Sequence, residues 1–144
     1  ISSTMWTDRL GFIAANTTLK ILKRLNINKK ISLYGLKIKK GWLKLAKKNK
    51  IKISISGQDC IPYLKFDYPN NLEILTYFTQ EMLKRGYLAS NKTYLNICHD
   101  KNIINQYLKH CDEIFKSIAI NIKNKKIEKF LKSEIKSDTF KRLT

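Results

Sequence analysis

Arginine is scarce in this sequence, although positive charge is not. The formal net charge is +18, yet arginine occurs only as Arg9, Arg24, Arg85 and Arg142. Readers of base sequence and clamps for phosphate groups rely on the planar guanidinium fork, so its scarcity argues against a sequence-specific nucleic-acid reader. Cysteine is limited to Cys60, Cys98 and Cys111, with no CxxC pair. His99 and His110 adjoin two of them in sequence but not at metal-ligand spacing, which excludes a disulfide framework and a zinc site. Two prolines and five glycines are too few and too scattered to mark a linker, and no repeat divides the chain. No apolar run approaches the ~20 residues that span a bilayer, and no charged-then-apolar leader is present. The expectation is a cytoplasmic protein without a membrane partner.

What is present is lysine and isoleucine in amphipathic order. From Lys20 to Lys52 there are thirteen Lys or Arg and no Asp or Glu. Ile and Asn are also abundant, a mixture that drift towards A/T-rich codons produces. Lysines opposite an apolar stripe read first as a wet face. A field of this sign attracts nucleic acid in principle, and a small basic nucleic-acid-binding protein is the alternative from another class. Solvated surface is nonetheless the expected role of most of these lysines, and a nucleic-acid partner is not expected. A structural module without chemistry is a third reading.

The apolar spacing predicts a helix capped by Thr7 or Asp8, with Leu10, Ile13, Ala14, Ile21, Leu22 and Leu25 on one face and a break over Asn26–Lys30. A second helix follows with Ile31, Tyr34, Ile38, Trp42, Leu45 and Ala46 inward and a stop near Asn49. The period then switches to two in KIKISIS and YLKFDY, which predicts an antiparallel hairpin turned at Gly57-Gln58-Asp59. A third helix begins with Asn70 and Glu73 as a capping box, draws its core from Leu72, Leu75, Phe78, Met82 and Leu83, and exits through Gly86. Thr93 to Cys98 is expected to complete a three-stranded sheet. Asp100 caps the longest helix, with Ile104, Tyr107, Leu108, Cys111, Phe115, Ile118 and Ile122 in register, and a weak helix spans Ile127 to Leu131. Helices segregated from a small sheet predict an α+β fold.

Three stretches carry more than periodicity. SSTMWTDRLGFIAANTTLKIL resembles the segment after the cofactor lysine in class III pyridoxal-phosphate (PLP) aminotransferases, above all the glutamate-1-semialdehyde aminomutase-like members. KISISGQDCIPYLKFDY resembles the sheet hairpin of their C-terminal domain. EMLKRGYLASNKTYLNICHDKNIINQYL resembles its helix, glycine turn and final passage. The resemblance implies a fold-type-I enzyme, a homodimer of identical subunits with the site at their interface, and PLP as cofactor. It places residues 1–28 at the end of the large cofactor domain and in the interdomain helix, and 29–144 in the C-terminal α+β domain. The chain would then be the C-terminal part of a longer protein, with the Schiff-base lysine upstream of Ile1 and no catalytic residue in this stretch. The fragment alone is expected to be inactive.

By the same resemblance Thr4, and less directly Ser3, falls where a hydroxyl and a backbone N–H reach the cofactor phosphate of the neighbouring subunit. Short hydroxyls before a capped helix suit a dianion, though short hydroxyls also abound in turns. The implied substrates are an amine donor and an aldehyde or ketone, with intramolecular aminomutase chemistry as the variant. Where many members carry a small Ser-Gly-Asn-Pro step, this chain has Trp6-Thr7-Asp8-Arg9, which bears on the substrate. Arg9 or Arg142 could meet a substrate carboxylate, although surface pairing is the commoner fate of such residues.

Overall fold

The computed structural model describes residues 8–124 and 127–137. Helix α1 (Arg9–Arg24) starts where Asp8 Oδ1 accepts the Leu10 N–H at 3.0 Å. It ends at Leu25, and Asn26 takes a left-handed φ of 48° that turns the chain. Asparagine tolerates that conformation, so the break is confined to two residues and α2 (Ile27–Asn49) starts four residues before Ile31. The left-handed exit of α2 is Lys50, one residue past Asn49.

Strands β1 (Ile53–Ser56) and β2 (Tyr63–Phe66) pair antiparallel, Ile53 opposite Phe66 and Ser56 opposite Tyr63. Leu64 and Phe66 are buried while Lys65 is exposed, as the alternation requires. Helix α3 (Asn71–Lys84) leaves through Gly86 at φ 82°, with the Tyr87 N–H returning to the Met82 carbonyl at 3.0 Å. Helix α4 (Lys101–Lys123) is capped by Asp100, whose carboxylate accepts the Ile103 N–H at 2.8 Å. A short 3-10 turn, Ile127–Phe130, follows.

The core lies between α2, α4, α3 and the buried face of β2. Trp42, Phe78, Met82, Cys111, Phe115 and Ile118 are all fully covered. Two ion pairs join elements across it: Lys48 on α2 with Asp112 on α4, and Arg85 after α3 with Glu113 on α4. The hydrogen bond from Lys48 is the largest influence on the Asp112 carboxyl and holds its pKa below the usual aspartate value of 3.8, against the burial that would raise it. A depressed folded-state pKa means that this stabilisation is complete above the unfolded value and is lost as pH falls through the folded one. Asp112→Asn is therefore expected to flatten the acid limb of the stability curve below about pH 4. The change should stay under about 1 kcal/mol, because Lys48 is solvent-screened. Urea midpoints measured from pH 7 to pH 3 check this.

Three further features depart from the sequence reading. The sheet has two strands, not three: the third segment contributes a single antiparallel bridge, Tyr63 with Lys92. Around it Leu64 N bonds Asn91 O at 2.8 Å, Thr93 N bonds Pro62 O at 3.1 Å and Leu95 N bonds Cys60 O at 3.2 Å. The next rung needs an N–H at position 62 to answer the Thr93 carbonyl, and proline has none, so the ladder stops. Asn70 makes no side-chain cap bond, so the capping box is not formed. Leu83 is 57% exposed, whereas Ile74, Thr76 and Tyr77 are buried. The last residues described explain part of that burial. The Gln80 side chain donates to the Phe130 carbonyl at 3.0 Å and accepts the Lys132 N–H at 2.7 Å, and Thr76 Oγ1 accepts the Lys136 N–H at 3.0 Å, strapping the tail along α3.

Candidate functional site

Ser3 and Thr4, the residues expected to reach a phosphate, lie outside the described residues, as does Arg142. The helix that follows them is described, and its surroundings are informative. The apolar spacing of α1 predicts a buried face, but no residue of α1 is buried, and Leu10, Phe12, Ile13 and Leu19 are each more than 60% exposed. At 100° per residue Leu10, Ile13, Ala14 and Ile21 share one side, while Phe12, Ala15, Leu19 and also Leu22, which the apolar spacing groups with the first set, share the opposite one. A helix apolar on two sides is a helix made to be covered. Only its C-terminal end meets α2, where Leu22 is half-buried. Arg9 is exposed and has no carboxylate partner among the described residues.

One concavity among the described residues lies beside the middle of α2, at Ile38, between the 86–95 segment and the start of α4. Its volume is about 390 Å³. Ile38, Leu95 and Ile104 form an apolar floor, Tyr87, Tyr94 and Tyr107 the walls, and Lys92 and His99 the polar rim. His99 Nδ1 accepts the Asn96 N–H at 3.0 Å, which leaves its proton on Nε2. Beneath the floor, Tyr107 Oη, Thr93 Oγ1 and Trp42 Nε1 are buried without a hydrogen-bond partner. Burial pushes the Tyr107 phenol well above its ordinary pKa of 10, with Cys111 beside it, and burial pushes the Cys111 thiol up to about 12. Both groups are protonated at neutral pH, so Cys111 is an inert core thiol. Sequence spacing placed Tyr107 and Cys111 in the core but could not show that their polar atoms converge.

As chemistry, the described residues are incomplete. They contain no group of three His, Cys, Asp or Glu able to hold a metal ion, and the three cysteines are free thiols. The concavity has a cation on its rim but no carboxylate in its lining, and so no acid–base pair. The only lysine there, Lys92, is exposed rather than seated on the floor. Among the described residues no helix is long and apolar enough to cross a membrane.

No protein-family model matches the chain, and no curated protein matches it. Among solved structures it is similar to the PLP internal aldimine form of the FumI protein of Sphingopyxis sp. MTA144, with a TM-score of 0.74 and 15% identity. The match covers 85% of this chain and 30% of that one, so the chain spans less than a third of its structural neighbour. At that identity the likeness is one of fold: this α+β arrangement is that of part of a PLP-bound protein.

Proposed function

We propose that this chain is the C-terminal part of a PLP-dependent enzyme of the class III aminotransferase kind. In this reading it works as one of two identical subunits and moves an amino group from an amine donor to an aldehyde or ketone. The observation that carries the reading is the shared fold with a protein that holds PLP, over 85% of this chain but only 30% of the neighbour. The two uncovered apolar sides of α1 support it. Residues 1–28 would end a large cofactor domain whose remaining bulk covers α1, and 29–144 would form the C-terminal domain.

The described residues do not themselves make a cofactor site, because no lysine is seated in the concavity and no carboxylate faces it. PLP would be held by protein beyond this chain together with Thr4 and Ser3. When bound, its ring supplies an electron sink for the carbon that loses a proton. The part assigned to this chain is binding: the Thr4 hydroxyl and N–H donate to phosphate oxygens from just before the start of α1.

The test is made on the protein that includes the reading frame preceding Ile1. It should bind PLP and show the cofactor's near-visible absorbance. Thr4→Ala should weaken retention of the cofactor roughly 10- to 100-fold, the worth of one hydrogen bond to a charged group. A protein that stays colourless, or binds as tightly with alanine at Thr4, would end this reading.

A further inference from the structure

From α2 we infer a second binding surface, independent of any cofactor: a row of lysines that takes the phosphate backbone of duplex nucleic acid without reading its sequence. Lys29, Lys30, Lys37, Lys40, Lys44, Lys47 and Lys48 fall within an arc of about 100° on the side of the helix opposite Trp42. The buried side of α2 is fully used by Ile38, Trp42 and Ala46. Lys48 pairs with Asp112, and Lys37 donates to Asn105 Oδ1 at 2.6 Å. Lys29, Lys30, Lys40, Lys44 and Lys47 are exposed and have no carboxylate partner among the described residues. They extend about 27 Å along a straight helix, at 1.5 Å per residue.

Codon drift accounts for lysine in general but not for where the acids are. Ten of the eleven acidic residues lie from Asp59 onward, and none lies between Arg9 and Gln58. A bias acting on the whole gene gives no reason for carboxylates to be missing from one part alone. The unpaired field therefore belongs to α1, α2 and β1, and α2 presents it as a row.

The chemistry of the row selects the partner. Lysine is a point charge without a fork, which suits phosphate contact and not base reading. No aromatic side chain is exposed among these lysines to stack an unpaired base, so a duplex is favoured over a single strand. An interfacial helix needs a continuous free apolar face; among the apolar residues of α2 only Leu33, Leu36 and Leu43 are substantially exposed, and Leu33 alone falls inside the lysine arc, which disfavours a bilayer.

The test is fluorescence anisotropy with short mixed-sequence DNA and RNA duplexes across a salt series. Five lysines give an expected slope of log affinity on log salt of about −4.5, a fall of several hundred-fold between about 50 and 200 mM. A variant with Lys29→Gln, Lys40→Gln, Lys44→Gln and Lys47→Gln should drop the slope to about −1. A matched variant with Lys65→Gln, Lys101→Gln, Lys109→Gln and Lys129→Gln loses the same charge elsewhere and should keep the steep slope. Equal losses in the two variants would reduce the effect to net charge and overturn the assignment to α2. So would absence of binding at low salt, a strong preference for one sequence, or binding to phosphatidylserine vesicles that a duplex does not compete away. The duplex measurement needs no PLP, so it stands or falls apart from the aminotransferase reading.

Discussion

Phe115→Ala is expected to cost about 4 kcal/mol, enough to bring the folded state near its limit. Phe115 on α4 meets Phe66 on β2 at a ring-centroid distance of 5.8 Å and Phe78 on α3 at 6.2 Å, while Phe66 and Phe78 stand 5.9 Å apart. All three rings are buried and tilted or edge-on to one another, the arrangement in which aromatic quadrupoles attract. Truncation removes the ring from two such pairs and leaves a void that three separate elements must shrink to fill. β2 cannot follow inward without breaking its register with β1, so relaxation is limited. Phe115→Leu fills most of the volume and should cost less than half as much. Urea unfolding measures both. A cost below about 1.5 kcal/mol for alanine would mean that the three rings do not form the common centre of the fold.

Much of this centre could be read from spacing, and the reason differs from element to element. Ile104, Tyr107, Cys111, Phe115 and Ile118 recur at three and four because α4 has one long buried side, and that period is local information. Ile114 and Asn121 are buried as well because α2 and α3 flank α4 on two sides, which widens the stripe beyond what one helix reveals about itself. On α3 the failure is sharper. Thr76 is buried and Gln80 is committed to a strap by backbone 50 residues further along, and nothing near either residue signals it. The missing third strand was legible in hindsight from Pro62 alone, because a proline opposite an expected ladder removes a donor whatever the alternation says. The candidate phosphate site is the opposite case. Its residues carry no periodicity, so Ser3 and Thr4 could be singled out only by resemblance, and both lie outside the described residues.

Gly35→Ala is the second change with a large expected effect, and it tests how α2 meets the hairpin. A Cβ built on Gly35 would stand 1.5 Å from the Asp59 carbonyl oxygen and 2.5 Å from its carbon. Those are backbone atoms, so no side chain can rotate out of the way. The loop cannot simply lift, because Lys39, one turn along α2, holds it with bonds to the Gly57 carbonyl and to Asp59 Oδ1, both at 2.8 Å. Glycine inside a helix costs up to about 1 kcal/mol relative to alanine, and here it permits backbone to lie on helix. The variant recovers that propensity but must push the loop away, giving a net loss of about 3 kcal/mol and a fall in Tm of roughly 10 °C. Gly41 supplies the internal comparison. Its added Cβ would stand 2.6 Å from a Leu108 methyl, the far end of a flexible side chain that can turn, so Gly41→Ala should cost less than about 1 kcal/mol. Thermal melts of the two variants decide the matter. Equal shifts, or a neutral Gly35→Ala, would show that the loop does not rest on α2, and the ion pair from Lys39 would then lose its role as the fastener of the hairpin.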